Sequence, residues 1–350
     1  MAYKYTHLIP QNTAPKGAKH IGVYDSKGKK IFTIPLGKLT PTTKEKLYSF
    51  GVVSDIHLYK KGEAWVTWNP DAKFDAALSY FESQNCVFCA HAGDFTQTGL
   101  YDEGDTVNLQ PAQFEVYKEI RDKHNIPVYG ICGNHESYVV PITNNLTELK
   151  TYTGTDLYYT VAQGNDMFIF VGQPQGNKPM GDDALQWLYE TLEANRNKRC
   201  FIFVHPHISS GNPLGAYKKN QLFELWGTRT TAFKNLLNHY KNTILFHGHT
   251  HVKFECQEVD ENSTYSTKDG FRSVHVPSLS TPRNYNNGEL VNMNAESYGY
   301  IVDIYEDCVV LNGMDFIDNE WCPLGIYKID TTLQTIEAGT FTDGTGTITT

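Results

Sequence analysis

At 350 residues the chain is long for one compact domain but within reach of a single large α/β domain with appendages. Its 40% hydrophobic and 20% charged residues are the ordinary balance of a globular protein with a sizeable core. The 39 acidic against 30 basic residues leave a formal charge of −9, which argues against a broad cationic surface for gripping nucleic acid but not against phosphate substrates, because bound divalent metals supply positive charge locally.

Residues 1–47 differ in pattern from the rest of the chain. Ile21-Gly22-Val23-Tyr24 and Ile31-Phe32-Thr33-Ile34 flank the turn-rich Asp25-Ser26-Lys27-Gly28, which predicts a β-hairpin serving as an N-terminal appendage. Met1 to His7 hold no apolar stretch of signal-peptide length, and no later run approaches about 20 apolar residues. Neither classical secretion nor a membrane span is expected, and the compartment stays open, cytoplasmic or virion-associated.

From residue 48 short apolar runs alternate with helical patterns. Strands are expected at Phe50–Ser54, Cys86–His91, Val128–Cys132, Met167–Val171, Cys200–Val204 and Thr243–His247. Phe74, Ala77, Leu78 and Phe81 form a one-sided helical stripe, and Pro111 opens a second helix bearing Phe114, Tyr117 and Ile120. Asp183 with Gln186 suggests a capping box at the start of a third helix, with Leu185, Leu188 and Leu192. Phe233, Leu236, Leu237 and Tyr240 mark a fourth. This alternation means a layered α/β core.

After about residue 252 the helical period ends. Arg272–Val276, Tyr298–Tyr305, Cys308–Leu311 and Gly325–Ile329 read as strands expected to complete a second sheet packed on the first. The Thr/Gly-rich tail, 331–350, is expected to be flexible or a strand used for docking, which leaves a core of 48–330. The cysteines, Cys86, Cys89, Cys132, Cys200, Cys256, Cys308 and Cys322, are odd in number and read as free, buried thiols. Strand alternation would send Cys86 and Cys89 to opposite faces, and no second pair stands at zinc-ribbon spacing.

The chemistry sits where strands end, the place where open α/β sheets build their sites. Asp55-Ile56-His57, Gly93-Asp94, Gly133-Asn134-His135-Glu136, His205-Pro206-His207 and Gly248-His249-Thr250-His251 each come directly after an apolar run. Any one fragment reads equally as a turn or a packed histidine. Taken together, and in this order, they resemble the signature of the calcineurin-like metallophosphoesterases: D-x-H, G-D, G-N-H-[D/E], H, G-H-x-H. The resemblance covers roughly residues 48–255, with no ligand position substituted, and says little about either end.

That resemblance implies an α/β/β/α sandwich of four layers with two metal ions at the strand C-termini. The first ion would be held by Asp55, His57, Asp94 and His251, the second by Asp94, Asn134, His205 and His249. Two ions about 3.5–4 Å apart need a bridging anion, which a carboxylate such as Asp94 can be. A mixed set of carboxylate, amide oxygen and imidazole suits Mn, Fe or Zn better than Ca or an all-oxygen Mg site. The imidazoles of His249 and His251 would share a face if that segment is extended.

By the same resemblance His135 is not a ligand but the general acid for the leaving oxygen, or a donor to the phosphoryl group, with Glu136 able to set its tautomer. His207 reads as a substrate-facing residue or a structural one. The implied reaction is hydrolysis of a phosphate ester by a hydroxide bridging the metals. Gly93-Asp94-Phe95-Thr96-Gln97-Thr98-Gly99 is similar to the G-D-x-T-x-x-G form of the cyclic-nucleotide-phosphodiesterase-like branch, which favours a phosphodiester. A phosphomonoesterase stays open. So does a phosphoesterase module of a larger phage-tail-like or cell-surface assembly, docked through its termini and acting on a cell-wall phosphodiester polymer. Arg283, Asn284 and Tyr285, beyond the signature, are candidate pocket residues, and Arg283 could take a phosphate with both ends of its fork or lie exposed in a polar loop.

Overall fold

The computed structural model describes residues 20–24, 30–35, 44–59, 67–97, 110–137, 149–174, 180–206, 227–254, 265–267, 269–286, 289–342 and 347–349. Strands β1 (His20–Tyr24) and β2 (Lys30–Pro35) pair antiparallel as the hairpin expected in the appendage, with Ile21 opposite Ile34 and Val23 opposite Phe32. The alternating core begins with β3 (Lys46–Val53), α1 (Pro70–Ser83), β4 (Cys89–His91), α2 (Gln110–Arg121), β5 (Val128–Gly130) and α3 (Asn134–Ser137). It continues as β6 (Tyr158–Gln163), β7 (Asp166–Val171), α4 (Asp182–Ala194), β8 (Cys200–Phe203), α5 (Thr230–His239) and β9 (Thr243–His247). The late strands are β10 (Tyr265–Ser266), β11 (Arg272–His275), β12 (Arg283–Asn286), β13 (Glu289–Asn292), β14 (Tyr298–Tyr305), β15 (Cys308–Asp315), β16 (Glu320–Trp321), β17 (Tyr327–Asp330), β18 (Thr340–Thr342) and β19 (Thr347–Thr349).

Two large sheets result. One runs β16-β15-β14-β3-β4-β5, with β17 also on β15; the other runs β10-β11-β9-β8-β7-β6. The late strands therefore do not build a second sheet by themselves. β14 to β17 extend the sheet of β3, β4 and β5, whereas β10 and β11 extend that of β7, β8 and β9. β6, absent from the strands expected, is the first arm of a tight hairpin with β7. Its burial is partial because it forms the sheet edge; its sequence signal is Tyr158-Tyr159-Thr160-Val161 before the two-residue turn Gly164-Asn165.

Strand alternation sorts the core into three clusters, and these define the layers. Phe50, Val52, Phe168, Phe170, Phe201, Phe203 and Phe246 lie between the sheets. Rings on neighbouring strands stack there: Phe168 on Phe201 at 4.8 Å, Phe170 on Phe203 at 4.9 Å and Phe203 on Phe246 at 5.1 Å. The opposite face of the first sheet meets Phe74, Phe81, Phe114 and Tyr117 of α1 and α2. The opposite face of the second, with Ile169, Ile202 and Val204, meets Leu185 and Leu188 of α4 and Phe233 and Leu236 of α5. The architecture is thus helix, sheet, sheet, helix, the four layers that the signature implies.

Some local expectations change. No capping box forms on α4: its N-cap is Gly181, which has no side chain to offer, and Gln186 donates to Glu190 instead. Cys86 and Cys89 enter one cluster instead of opposite faces, because the chain turns through Asn85 (φ 56°) and regular strand begins only at Cys89. The six cysteines among the described residues are free and buried; Cys256 lies outside them. The tail is a hairpin, β18 with β19, laid on the chain's own helices: Phe341 stacks on Tyr189 at 5.1 Å, and Ile336 is buried with the α5 leucines. No helix among the described residues is long and apolar enough to cross a membrane.

Arg199 pins the sheets together at the end away from the motifs. It gives two hydrogen bonds to Asp166 at the start of β7, at 3.0 and 2.7 Å, and one each to Tyr305 O and Thr331 Oγ1, at 2.8 and 2.9 Å. Both side chains of the ion pair are buried. Replacing Arg199 with Ala strands a buried carboxylate, so the unfolding free energy in urea is expected to drop by about 3–5 kcal/mol. A loss below about 1 kcal/mol, the scale of an exposed pair, would show that this ion pair does not hold the sheets.

Candidate metal centre

The signature strands β3, β4 and β5 are parallel in one sheet and β8 and β9 are parallel in the other, so within each sheet their C-terminal ends share an edge. Past that edge the backbone leaves the extended region. Asp55, His57, Asp94, His249 and His251 all have positive φ, between 52° and 74°. They are five of the eight non-glycine residues with positive φ among those described, each costing on the order of 1 kcal/mol or more. Such turns let closely spaced side chains aim at one point, where a strand would alternate them. They also make Gly248-His249-Thr250-His251 a turn and not an extended segment. Its two imidazoles part company, His251 joining Asp55 and His57, and His249 joining Asp94 and His205.

In each of these groups, and in a third made of His57, Asp94 and His135, the potential ligand atoms lie within 4.8 Å of one another. Each carboxylate has an anchored oxygen and an inward one. Asp55 Oδ2 accepts from Ser54 Oγ (2.5 Å) and the His249 N–H (3.0 Å), leaving Oδ1 2.9 Å from His251 Nε2. Asp94 Oδ1 accepts from the His135 N–H (3.0 Å), leaving Oδ2 3.0 Å from His205 Nε2 and 3.8 Å from the Nε2 atoms of His57 and His135. Asp94 therefore stands between the groups. Asn134 is buried between Gly133 and His135, where a Cβ on Gly133 would fall against Asp94 Oδ1; Gly248 is packed equally tightly on Ser54 Oγ.

The arrangement fits a cation. His57 Nε2 and His251 Nε2 face each other at 3.0 Å with Asp55 Oδ1 beside them, and one proton cannot serve all these contacts. His205 Nδ1–H donates to the Ala92 carbonyl (2.8 Å) and His251 Nδ1–H to Thr281 (Oγ1 at 2.9 Å, O at 3.2 Å), which turns the Nε2 lone pairs inward as a metal ligand requires.

A family model described as calcineurin-like phosphoesterase matches residues 48–253, more than half of the chain. The chain belongs to the calcineurin-like phosphoesterase family. Among solved structures it is similar to a dimetal phosphatase from Danio rerio, with TM-score 0.58, 15% identity, and 82% of this chain and 100% of that one covered. It is also similar to the purple acid phosphatase PPD1 from yellow lupin (Lupinus luteus) seeds, with TM-score 0.54, 12% identity, and 89% of this chain against 59% of that one covered. At such identities the likeness is one of fold. No curated protein sequence matches the chain. The family uses divalent metal ions, and the Asp/His cluster is where this member could hold them.

Residues beyond the family signature complete the site. Ser278 and Ser280 donate through Oγ to the Asp55 carbonyl, at 2.9 and 3.2 Å, and Thr281 holds His251. Their sequence signal is the polar run Ser278-Leu279-Ser280-Thr281 after β11, one more strand end. Glu136 accepts from the N–H groups of Gly133 (2.8 Å), Asp94 (3.2 Å) and Thr96 (2.8 Å) and from Thr96 Oγ1 (2.9 Å). It thus staples the loop after β5 to the loop after β4. At His135 the Gln97 carbonyl accepts from Nδ1–H. His207 lies outside the described residues.

Burial pushes the Asp55 and Asp94 carboxyls up, yet the neighbouring imidazoles, His251 and His205 for Asp55 and chiefly His205 and His135 for Asp94, hold both below the usual carboxylate range. Burial also works to lower His205, but Asp94 and Asp55 outweigh it and raise the ring to about 9. A proton on His205 Nε2 occupies the position from which the ring would bind a metal, so proton and metal compete. Metal uptake at pH 7 is therefore expected to release a proton, with affinity rising up to about tenfold per pH unit until His205 is neutral near pH 9. Calorimetric titration in buffers of different ionisation enthalpy reads this directly; a heat independent of buffer and an affinity flat from pH 6 to 9 would rule it out.

Proposed function

We propose that this phosphoesterase carries a dinuclear metal centre and acts by preference on a phosphodiester. The supporting observation is the meeting of the carboxylate–imidazole groups at Asp94, with its Oδ2 turned toward His205, His57 and His135. In this assignment Asp55, His57, Asp94 and His251 hold one ion, and Asp94, Asn134, His205 and His249 the other. The donor set suits Mn, Fe or Zn. Two such ions, when bound, activate water and neutralise charge on the phosphate oxygens.

The chain's own residues orient the ester and move the proton. His135 is 23% exposed against 3% for His57, so it stands on the open side, where an ester would arrive. Its Nδ1–H is committed to the Gln97 carbonyl. The proton it gives the departing oxygen is therefore carried on Nε2, and its backbone N–H fixes the ring relative to Asp94. The buried rings of His57 and His205 and the two carboxylates keep bulk water from the inward side. The diester preference rests on the similarity of Gly93–Gly99 to the cyclic-nucleotide-phosphodiesterase-like branch. Thr96 of that segment ties the Asp94 turn to Glu136.

Hydrolysis of bis-p-nitrophenyl phosphate and p-nitrophenyl phosphate, after chelation and after return of Mn²⁺, tests the reading. The expected result is metal-restored activity that favours the diester. His135→Ala should lower kcat by about 10²–10⁴-fold with metal content retained, and Asp94→Ala should lose both metal and activity. A preference for the monoester would make the protein a phosphomonoesterase, and failure on both esters with every metal would overturn the proposal.

A further inference from the structure

Arg283 belongs to none of the signature blocks, yet it is built onto the candidate centre. Its N–H donates to the His251 carbonyl at 2.7 Å, and its own carbonyl accepts from the Lys253 N–H at 3.0 Å, a parallel bridge with Val252 between them. It opens β12, whose antiparallel partner β13 ends at Asn292, directly opposite. The base of this ribbon is fixed from below. Lys73, buried on α1, donates from Nζ to the carbonyls of Ser280 (2.6 Å), Asn294 (2.8 Å) and Glu296 (2.7 Å), on the two sides of the ribbon.

The guanidinium is half-buried and under-used. Among the described residues its one hydrogen bond runs from Nε to Asn292 Oδ1, at 3.2 Å, and it pairs with no carboxylate. Arg199 and Arg121, by contrast, spend nitrogens at both ends of the fork on protein oxygens. The main chain of Arg283 is bonded to that of His251, so the residue stands directly beside the Asp55–His57–His251 group. A half-buried cation in that position, its two terminal nitrogens uncommitted among the described residues, has given up hydration without gaining an ion-pair partner there. It is well placed for an anion that arrives from outside.

We propose that Arg283 is a substrate-binding residue whose terminal nitrogens take a phosphoryl oxygen of the ester on the Asp55–His57–His251 side of the centre. The inference rests on the phosphoesterase reading for the identity of the ester, while the binding of a phosphoryl oxyanion can be measured without turnover. Asn292 aims the fork through Nε, and Lys73 keeps the ribbon in register with the site.

The test uses the metal-loaded full chain and its Arg283→Gln and Arg283→Lys variants. Metal content is measured first, then binding of inorganic phosphate by calorimetry, then kcat and KM on bis-p-nitrophenyl phosphate. For Arg283→Gln the expected result is unchanged metal content, phosphate binding weaker by about 10- to 100-fold and KM raised over the same range, as loss of a charge-assisted contact implies. Arg283→Lys, which keeps the charge but not the fork, should fall between. Phosphate binding within about twofold of the parent in Arg283→Gln would overturn the proposal, as would a defect that vanishes once metal content is equalised. If no ester is hydrolysed by the parent, the phosphate titration still decides the role of Arg283, and the reaction class alone is lost.

Discussion

Two carboxylates, Asp55 and Asp94, are buried within reach of one imidazole nitrogen, and the motif edge of the sandwich is arranged around that fact. Asp55 Oδ1 and Asp94 Oδ2 lie 3.9 and 3.0 Å from His205 Nε2, and neither residue is more than 1% exposed. Like charges so placed in a medium of low dielectric repel strongly unless positive charge stands between them. Backbone N–H groups and hydroxyls hold the outer oxygens, so the inner ones cannot turn away. The left-handed turns, the packed glycines and the Glu136 staple all maintain this geometry at a cost in local stability.

The remainder of the molecule makes that cost tolerable. A ladder of stacked phenylalanines runs across the middle of the sandwich, and Arg199 with Asp166 closes it at the far end. The loops at the motif edge are stitched to one another by main-chain hydrogen bonds: Asp55 N–H to Gly93 O, Gly248 N–H to His205 O, and Leu279 N–H to Ser54 O. The last of these joins the two sheets, since Leu279 comes after β11 and Ser54 after β3. Displacement of one sheet would therefore separate Asp55 and Asp94, which come after strands of the first, from His205, His249 and His251, which come after strands of the second.

Much of this was legible because it is local. The stripe Phe74, Ala77, Leu78, Phe81 marks α1, and the apolar runs before Asp55, Asp94, Asn134, His205 and His249 mark the strands that end at the site. β6 was equally local, since Tyr158-Tyr159-Thr160-Val161 and the turn Gly164-Asn165 mark a hairpin arm, but its polar outer face kept it out of the apolar runs that mark the other strands. The partition of the late strands between two sheets was also out of reach, because β11 and β14 look alike as sequence and differ only in the partner that each finds across long separations.

The sequence by itself determined the family, the helix and strand periods, and the side chains proposed as metal ligands, since each depends on residue type and short spacing. Tertiary structure supplied the means of the division that the resemblance implies, His251 with Asp55 and His57 and His249 with Asp94 and His205. The positive φ values at His249 and His251 separate two histidines that an extended chain would have kept together. It also assigned the second roles: Glu136 to the loops after β4 and β5, Ser278, Ser280 and Thr281 to Asp55 and His251, and Lys73 to the carbonyls beneath the β12–β13 ribbon. These contacts join residues as far as 225 positions apart, and no local pattern records them. Their hydrogen bonds exist only once burial has removed water as the competing partner.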